Sequence, residues 1–146
     1  MFKLLKNAYY IYEVISVNYI DDEHEEFYNT KLNEWKKTRK IDVYHSALLY
    51  TISICKETRE HIEEIFDVKS DEVNIDAIQR KWQTGTSKKV TRMAFNLWNG
   101  SLIYDSEDDL ENRKISLEYA VSEIFCCSYA PFFWEAIKIR YPEYTK

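Results

Sequence analysis

Two glycines and two prolines are all that this 146-residue chain carries of the residues that most often make turns. An average sequence of this length has several times as many, so a sheet of many strands and tight hairpins is not expected. Cysteine is scarce as well. Cys55, Cys126 and Cys127 are odd in number and two of them are adjacent, which does not suit a secreted disulfide framework and points to a reducing, cytoplasmic setting. No run approaches the roughly 18 apolar residues of a membrane span, and the opening Met1-Phe2-Lys3-Leu4-Leu5-Lys6 is followed by no small-residue cleavage site. Neither a bilayer crossing nor a leader is expected. Positive charge is also short: 20 basic against 25 acidic side chains leave a net charge of −5, the wrong sign for wholesale binding to a phosphate backbone.

What the chain does have is apolar and aromatic material, 45% and 16% of its residues. That is enough for one domain to close its own core without a metal or a disulfide. Residues 8–20 are rich in aromatic and β-branched types but do not alternate cleanly, so they read as a strand or an irregular helix, and 1–19 as a candidate N-terminal extension. Tyr9, Tyr10, Tyr12 and Tyr19 divide between core and contact roles. Asp21 and Asp22, followed by Glu23, Glu25 and Glu26, mark a helix start, and Lys36-Lys37-Thr38-Arg39-Lys40 puts positive charge at its far end.

Asp42 can cap a second helix whose two apolar stripes predict deep burial. Residues 56–67 read as an amphipathic surface helix, 67–74 as a polar connection, and Asn74 as the cap of a short helix through Trp82. The most legible segment is Thr84-Gly85-Thr86-Ser87 leading into a central helix over about 86–99, with Gly100 suited to the left-handed position past its end. A solvated acidic loop at 105–111, a short helix around Tyr119–Phe125, and a last helix capped by Ser128 and ended by Pro142 complete the chain. The expectation is all-α: a single domain over 1–146, a bundle of about six helices around the central one.

Chemistry is thinly marked. His24, His45 and His61 lack the one-turn spacing of paired metal ligands, and Cys126-Cys127 lacks the gap of a zinc knuckle. His24 and His61 read as surface residues beside Glu23, Glu57 and Glu60, and His45 as lying on the less apolar side of its helix. The acidic loop has no calcium-loop pattern. A nucleophile–base pair would need the fold to bring His45 to Cys55 or Cys126, and on a helix Cys126 and Cys127 would face different ways, one core and one rim. No metal and no cofactor are expected. One candidate site remains, the start of the central helix, where Thr84, Thr86, Ser87, Lys88, Lys89 and Arg92 could converge on an anion, with Gln83 and Asn96 as orienting groups. The phosphate-loop pattern with its two glycines is absent there, and ordinary capping explains the same residues. Lys36, Lys37, Arg39 and Lys40 could extend this patch toward nucleic acid, against the net charge.

Trp82 through Lys89, then Ala94-Phe95-Asn96-Leu97-Trp98-Asn99-Gly100, then Glu135-Ala136-Ile137-Lys138-Ile139-Arg140-Tyr141-Pro142-Glu143-Tyr144 form a pattern. Glu23-His24 followed by Phe27, Asp42-Val43-Tyr44 with Ala47-Leu48, and Ile65-Phe66-Asp67 add to it. From about residue 20 onward the chain resembles a family of small uncharacterised proteins, a domain of unknown function from Gram-positive bacteria and their phages. The first 19 residues and the acidic loop depart from it. The resemblance implies no activity, cofactor or catalytic residue. It implies a setting in which small phage accessory proteins bind and disable a host macromolecule. The leading expectation is therefore a non-catalytic interaction protein, such as an inhibitor of a host defence complex, with a protein partner. The alternative is a small-ligand or phosphate-binding protein or enzyme with its site at the start of the central helix.

Overall fold

The structure, a computed structural model, describes residues 17–99 and 117–144. Among these residues seven α-helices and one two-stranded pair form a mostly helical bundle, in line with the all-α expectation. None of these helices is long and apolar enough to cross a membrane. Helix α1, Asp22–Lys36, begins where the Asp21 carboxylate accepts the His24 N–H at 2.8 Å, and Asp22, Glu23 and Glu25 complement its dipole. Helix α2, Val43–Ile52, begins the same way, with Asp42 accepting the N–H groups of Tyr44 and His45. Every residue of α2 from Ala47 to Ile52 is buried. From Ala47 onward the two stripes expected for this helix are thus the two sides of an enclosed segment, whereas Val43 and Tyr44 in its first turn are exposed.

The helix expected over 56–67 is divided. It forms α3, Lys56–Glu60, and α4, Ile62–Ile65, with a break at His61. Ile62, Ile65 and Phe66 are buried, and so is Thr58, whose hydroxyl donates to the Ile52 carbonyl at 2.5 Å. A continuous helix lying on the surface would not bring both groups inward. Beyond Ile65 the chain straightens into β1, Phe66–Asp67, which pairs antiparallel with β2, Glu72–Val73. The turn between them runs through Asp71 at φ 61°, the left-handed region where glycine is usual. A chain with so few glycines places an aspartate there, which tolerates that region better than most L residues. Asn74 then caps a 3₁₀ turn, Ile75–Gln79, through the Asp76 N–H.

Helix α5, Gly85–Trp98, forms where the central helix is expected and packs one broad face on α2, with Val90, Ala94 and Phe95 fully buried, while Asn96 on its other side is exposed; the most enclosed helix is α2. Helix α6, Val121–Ile124, lies along it, and α7, Ala130–Arg140, closes α2 from the other direction. Ser128 is not the cap of α7. That position is Tyr129, with no side-chain cap: the Ala130 N–H donates to the Cys127 carbonyl, the Phe132 N–H to the Tyr129 carbonyl, and Pro131 between them has no N–H to satisfy. The helix ends before Pro142, which opens a final 3₁₀ turn. The expectations for an N-terminal strand, for Tyr9, Tyr10 and Tyr12, for Gly100 and for the acidic loop fall outside the described residues.

Where α1, α2 and α7 meet lies His24, which is fully buried and not at the surface as its acidic neighbours suggest. Consecutive helical positions differ by about 100°, so Glu23 and Glu25 face solvent while His24 faces inward. Its ring contacts Tyr50 at 4.6 Å, Tyr19 at 5.2 Å and Phe132 at 6.3 Å between centroids. Its Nε2–H donates to the Tyr50 carbonyl at 2.9 Å, one of the carbonyls that the end of α2 leaves without a helical partner. Its Nδ1 accepts the Ile20 N–H at 3.2 Å. The neutral ring therefore fits both contacts, whereas a proton on Nδ1 would face another donor. Burial pulls its pKa down to about 4, against the opposing pull of the Tyr50 carbonyl and the Asp21 carboxylate.

Because the unfolded chain takes up this proton near pH 6.5 and the folded chain only near 4, acidification favours unfolding across that window. Urea unfolding between pH 7 and 4 should show a loss of about 3 kcal/mol from this group. His24→Gln should start less stable and lose correspondingly less. Parallel pH profiles for parent and variant would contradict the assignment.

Candidate functional site

The start of α5 is built from hydrogen bonds that close on one another. Thr84 is extended, its hydroxyl accepts the Ser87 N–H at 3.0 Å, and Ser87 Oγ accepts the Thr84 N–H at 2.7 Å. The Ser87 hydroxyl donates to Gln83 Oε1 at 2.6 Å, while Gln83 Nε2 donates to the Ala77 carbonyl and to Thr91 Oγ1. Thr91 in turn donates to the Ser87 carbonyl at 2.9 Å. This network fastens the 3₁₀ turn to the helix and leaves Ser87 almost fully buried. Thr84 and Thr86 are exposed, and Lys88 is half-buried. Lys89 donates to the Glu123 carbonyl at 2.6 Å and Arg92 pairs with Glu118 at 2.9 Å, so both are engaged toward α6. Asn96 is exposed, further along the helix. Thr84, Ser87 and Gln83 are thus brought together as a cap, while Lys89 and Arg92 serve a different contact.

The histidines are equally committed. His45, nearly buried, has Nδ1 2.8 Å from Asp42 Oδ1 and Nε2 2.7 Å from Asp71 Oδ1, and Arg39 pairs with the same Asp71 carboxylate. Burial works against the Asp42 carboxylate, yet the N–H and imidazole of His45 hold its pKa below the usual range. The arrangement pins the left-handed turn of β1–β2 to the start of α2. His61 stacks on Trp82 at 4.2 Å, its ring planes 7° apart, and bonds the Glu57 carbonyl through Nδ1. Among the described residues no group of three His, Cys, Asp or Glu side chains is placed to hold a metal ion.

No nucleophile–base pair forms between His45 and a cysteine. The ring neighbours of His45 are Phe66 and Trp98, and Cys55 instead meets Thr58 Oγ1 at 3.1 Å. Burial pushes the Cys55 thiol up, away from thiolate character. Cys126 and Cys127 lie in the turn between α6 and α7 and not on a helix, the first exposed and the second half-buried.

Aromatic side chains that sequence periodicity assigns to apolar helix faces stand in solvent instead. Trp134 rests on Phe125 at 5.3 Å yet is 58% exposed, and Tyr44 is 42% exposed beneath the Arg140 guanidinium. Their signal in the sequence is surplus: α7 carries more large apolar residues than one helix face can cover, and among them only Phe133 is fully buried.

Replacing Ser87 by Ala removes the acceptor of the Thr84 N–H and one partner of Gln83, and should cost about 1–2 kcal/mol in chemical denaturation. An unchanged midpoint would show that the network is not structural. Asp71→Ala should cost about 2 kcal/mol, since alanine resists the left-handed region and offers His45 no acceptor, whereas Asp71→Asn should lose less. Equal losses would contradict the backbone part of this account.

No curated protein and no solved structure matches this chain. A family described as a family of unknown function, DUF6075, matches residues 15–146. That match covers α1 to α7 and agrees with the resemblance noted from the sequence in its essential point, an uncharacterised family. The chain belongs to DUF6075, a family of unknown function.

Proposed function

We propose that the chain acts by binding another macromolecule and not by catalysis. The observation that carries this reading is a division of labour among its side chains. The hydroxyls, imidazoles and buried thiol that could do chemistry are hydrogen-bonded within the fold, while large aromatic groups face solvent, with Trp134 at 58% and Tyr144 at 81% exposure. Exposed Trp, Tyr and Arg side chains are the residue types that dominate the energetics of protein interfaces. The family resemblance supplies the setting: an accessory protein of a phage or mobile element of Gram-positive bacteria that binds and inhibits a host macromolecule, such as a defence complex, inside the cell. The acidic balance of the chain favours a protein partner over nucleic acid.

Affinity capture with the tagged full chain from a nuclease-treated Gram-positive lysate should recover one protein in stoichiometric amount. A blank capture overturns the reading. A phosphate-dependent chemical-shift change at Thr84, Thr86, Ser87 and Lys88, lost on replacing Ser87 and Lys88 by Ala, would then carry the alternative of a small-ligand site.

A further inference from the structure

Where the start of α2, the end of α5 and the end of α7 meet, the Arg140 guanidinium lies 3.5 Å from the centroid of the Tyr44 ring and 4.5 Å from that of Tyr141. Its Nε–H donates to the Leu97 carbonyl at 2.9 Å, near the end of α5, which fixes the plane of the group. Its two Nη atoms have no hydrogen-bond or ion-pair partner among the described residues. Arg59, by contrast, pairs with Glu23, Arg92 with Glu118 and Arg39 with Asp71. Arg140 is thus a cation held rigidly by two rings and a carbonyl, its fork unused among the described residues. Around it Tyr44, Tyr144 and Val43 are exposed, and Tyr141 meets Tyr144 at 6.4 Å.

A planar guanidinium whose Nη groups meet no partner among the described residues matches the two oxygens of a carboxylate, and loses little freedom on binding because packing has already oriented it. The aromatic and aliphatic surface beside it suits apolar side chains flanking that carboxylate. A nucleic acid would bring many phosphates to one cation on a chain of net charge −5, which disfavours it.

We propose that the surface formed by Arg140, Tyr44, Tyr141, Tyr144 and Val43 docks a segment of a partner protein that carries an Asp or Glu carboxylate between apolar side chains. The carboxylate takes the Arg140 fork and its apolar neighbours lie on Tyr44, Val43 and Tyr144. The proposal rests on the binding function stated above and specifies the surface and the chemistry of what it recognises.

The test is an NMR titration of the ¹⁵N-labelled full chain with the peptide acetyl-Leu-Asp-Phe-amide into the millimolar range, beside the Asn analogue and inorganic phosphate. The Asp peptide should shift the Arg140 Nε–H and the amides of Tyr44 and Tyr144, and should bind about tenfold or more tightly than the Asn analogue. R140K, which keeps the charge but not the fork, should lose that preference while its thermal midpoint shows that it remains folded. Equal shifts from both peptides, no shift at Arg140, or phosphate binding there as tightly as the Asp peptide would each overturn the proposal. Replacing the acids of 105–111 by Ser should leave the free Arg140 signal in place; a displacement would identify the chain's own acidic run as the occupant and overturn it too. The capture experiment separates this surface from the binding function. An R140K bait that recovers the same stoichiometric protein as the parent removes this surface and leaves the binding function standing, whereas a parent bait that recovers nothing removes both.

Discussion

The buried imidazole of His24 is the contact on which the packing of three helices depends. It joins the Ile20 N–H to the Tyr50 carbonyl, and so fastens the residues before α1 to the end of α2. The same region is tied again by the Tyr50 hydroxyl donating to the Asn18 carbonyl at 2.5 Å, and by Asn18 Nδ2 donating to Glu135 on α7 at 3.2 Å. A polar group in an aromatic pocket costs several kcal/mol unless both of its hydrogen-bonding atoms are satisfied. Here both are, in one tautomer and one orientation. The cluster therefore does more than exclude water, because it accepts only one relative placement of α1, α2 and α7. Burial also pushes the Tyr28 hydroxyl up to about 12 and raises that of Tyr50 further, so these phenols stay neutral hydrogen-bonding groups.

The scarcity of glycine is answered by short polar side chains. Asp21 and Asp42 open α1 and α2, Asn74 opens the 3₁₀ turn, Thr84 opens α5, and Asp67 closes the β1–β2 turn by accepting the N–H groups of Lys69 and Ser70. Asp71 occupies the left-handed position that a glycine would otherwise take, and its carboxylate is then held by His45 and Arg39. Residues that elsewhere compose catalytic or ligand sites are in this chain the means by which backbone donors are satisfied. The proposal that the chain acts by contact rests on this use of its polar side chains.

The parts of this fold governed by local rules were legible from the sequence. Caps act within three residues, so Asp42 and Asn74 are legible as caps, Asp21 as one of a pair with Asp22 and Thr84 as one of the hydroxyls before α5, whereas Ser128 is not the cap of α7. Deep burial of α2 followed from its two apolar stripes. The division at His61 and the β1–β2 pair were not legible, because they depend on Thr58 reaching the Ile52 carbonyl and Val73 pairing with Phe66, contacts between segments. The acids Glu23 and Glu25 beside His24 suggest a surface position, although adjacent helical residues face different directions and His24 faces inward. At the start of α5 the residue types were right for an anion, but spacing could not show that Gln83 would bind the Ser87 hydroxyl or that Arg92 would turn to Glu118. Arg140 belongs to the family pattern but carries no mark of a site in the sequence, since its setting comes from Tyr44 nearly a hundred residues earlier.

The functional reading and the fold therefore rest on one claim, that the polar side chains of the interior are structural partners of the backbone. His24 is where that claim is most exposed to test, because a buried histidine is also what a metal or proton-transfer site would use. The direct measurement is a long-range ¹H–¹⁵N correlation spectrum of the histidine side chains at about pH 6, before and after addition of zinc and of phosphate. The account predicts a neutral His24 with its proton on Nε2 and no response to either addition. An imidazolium pattern at that pH, or a His24 signal displaced by zinc or phosphate, would contradict it.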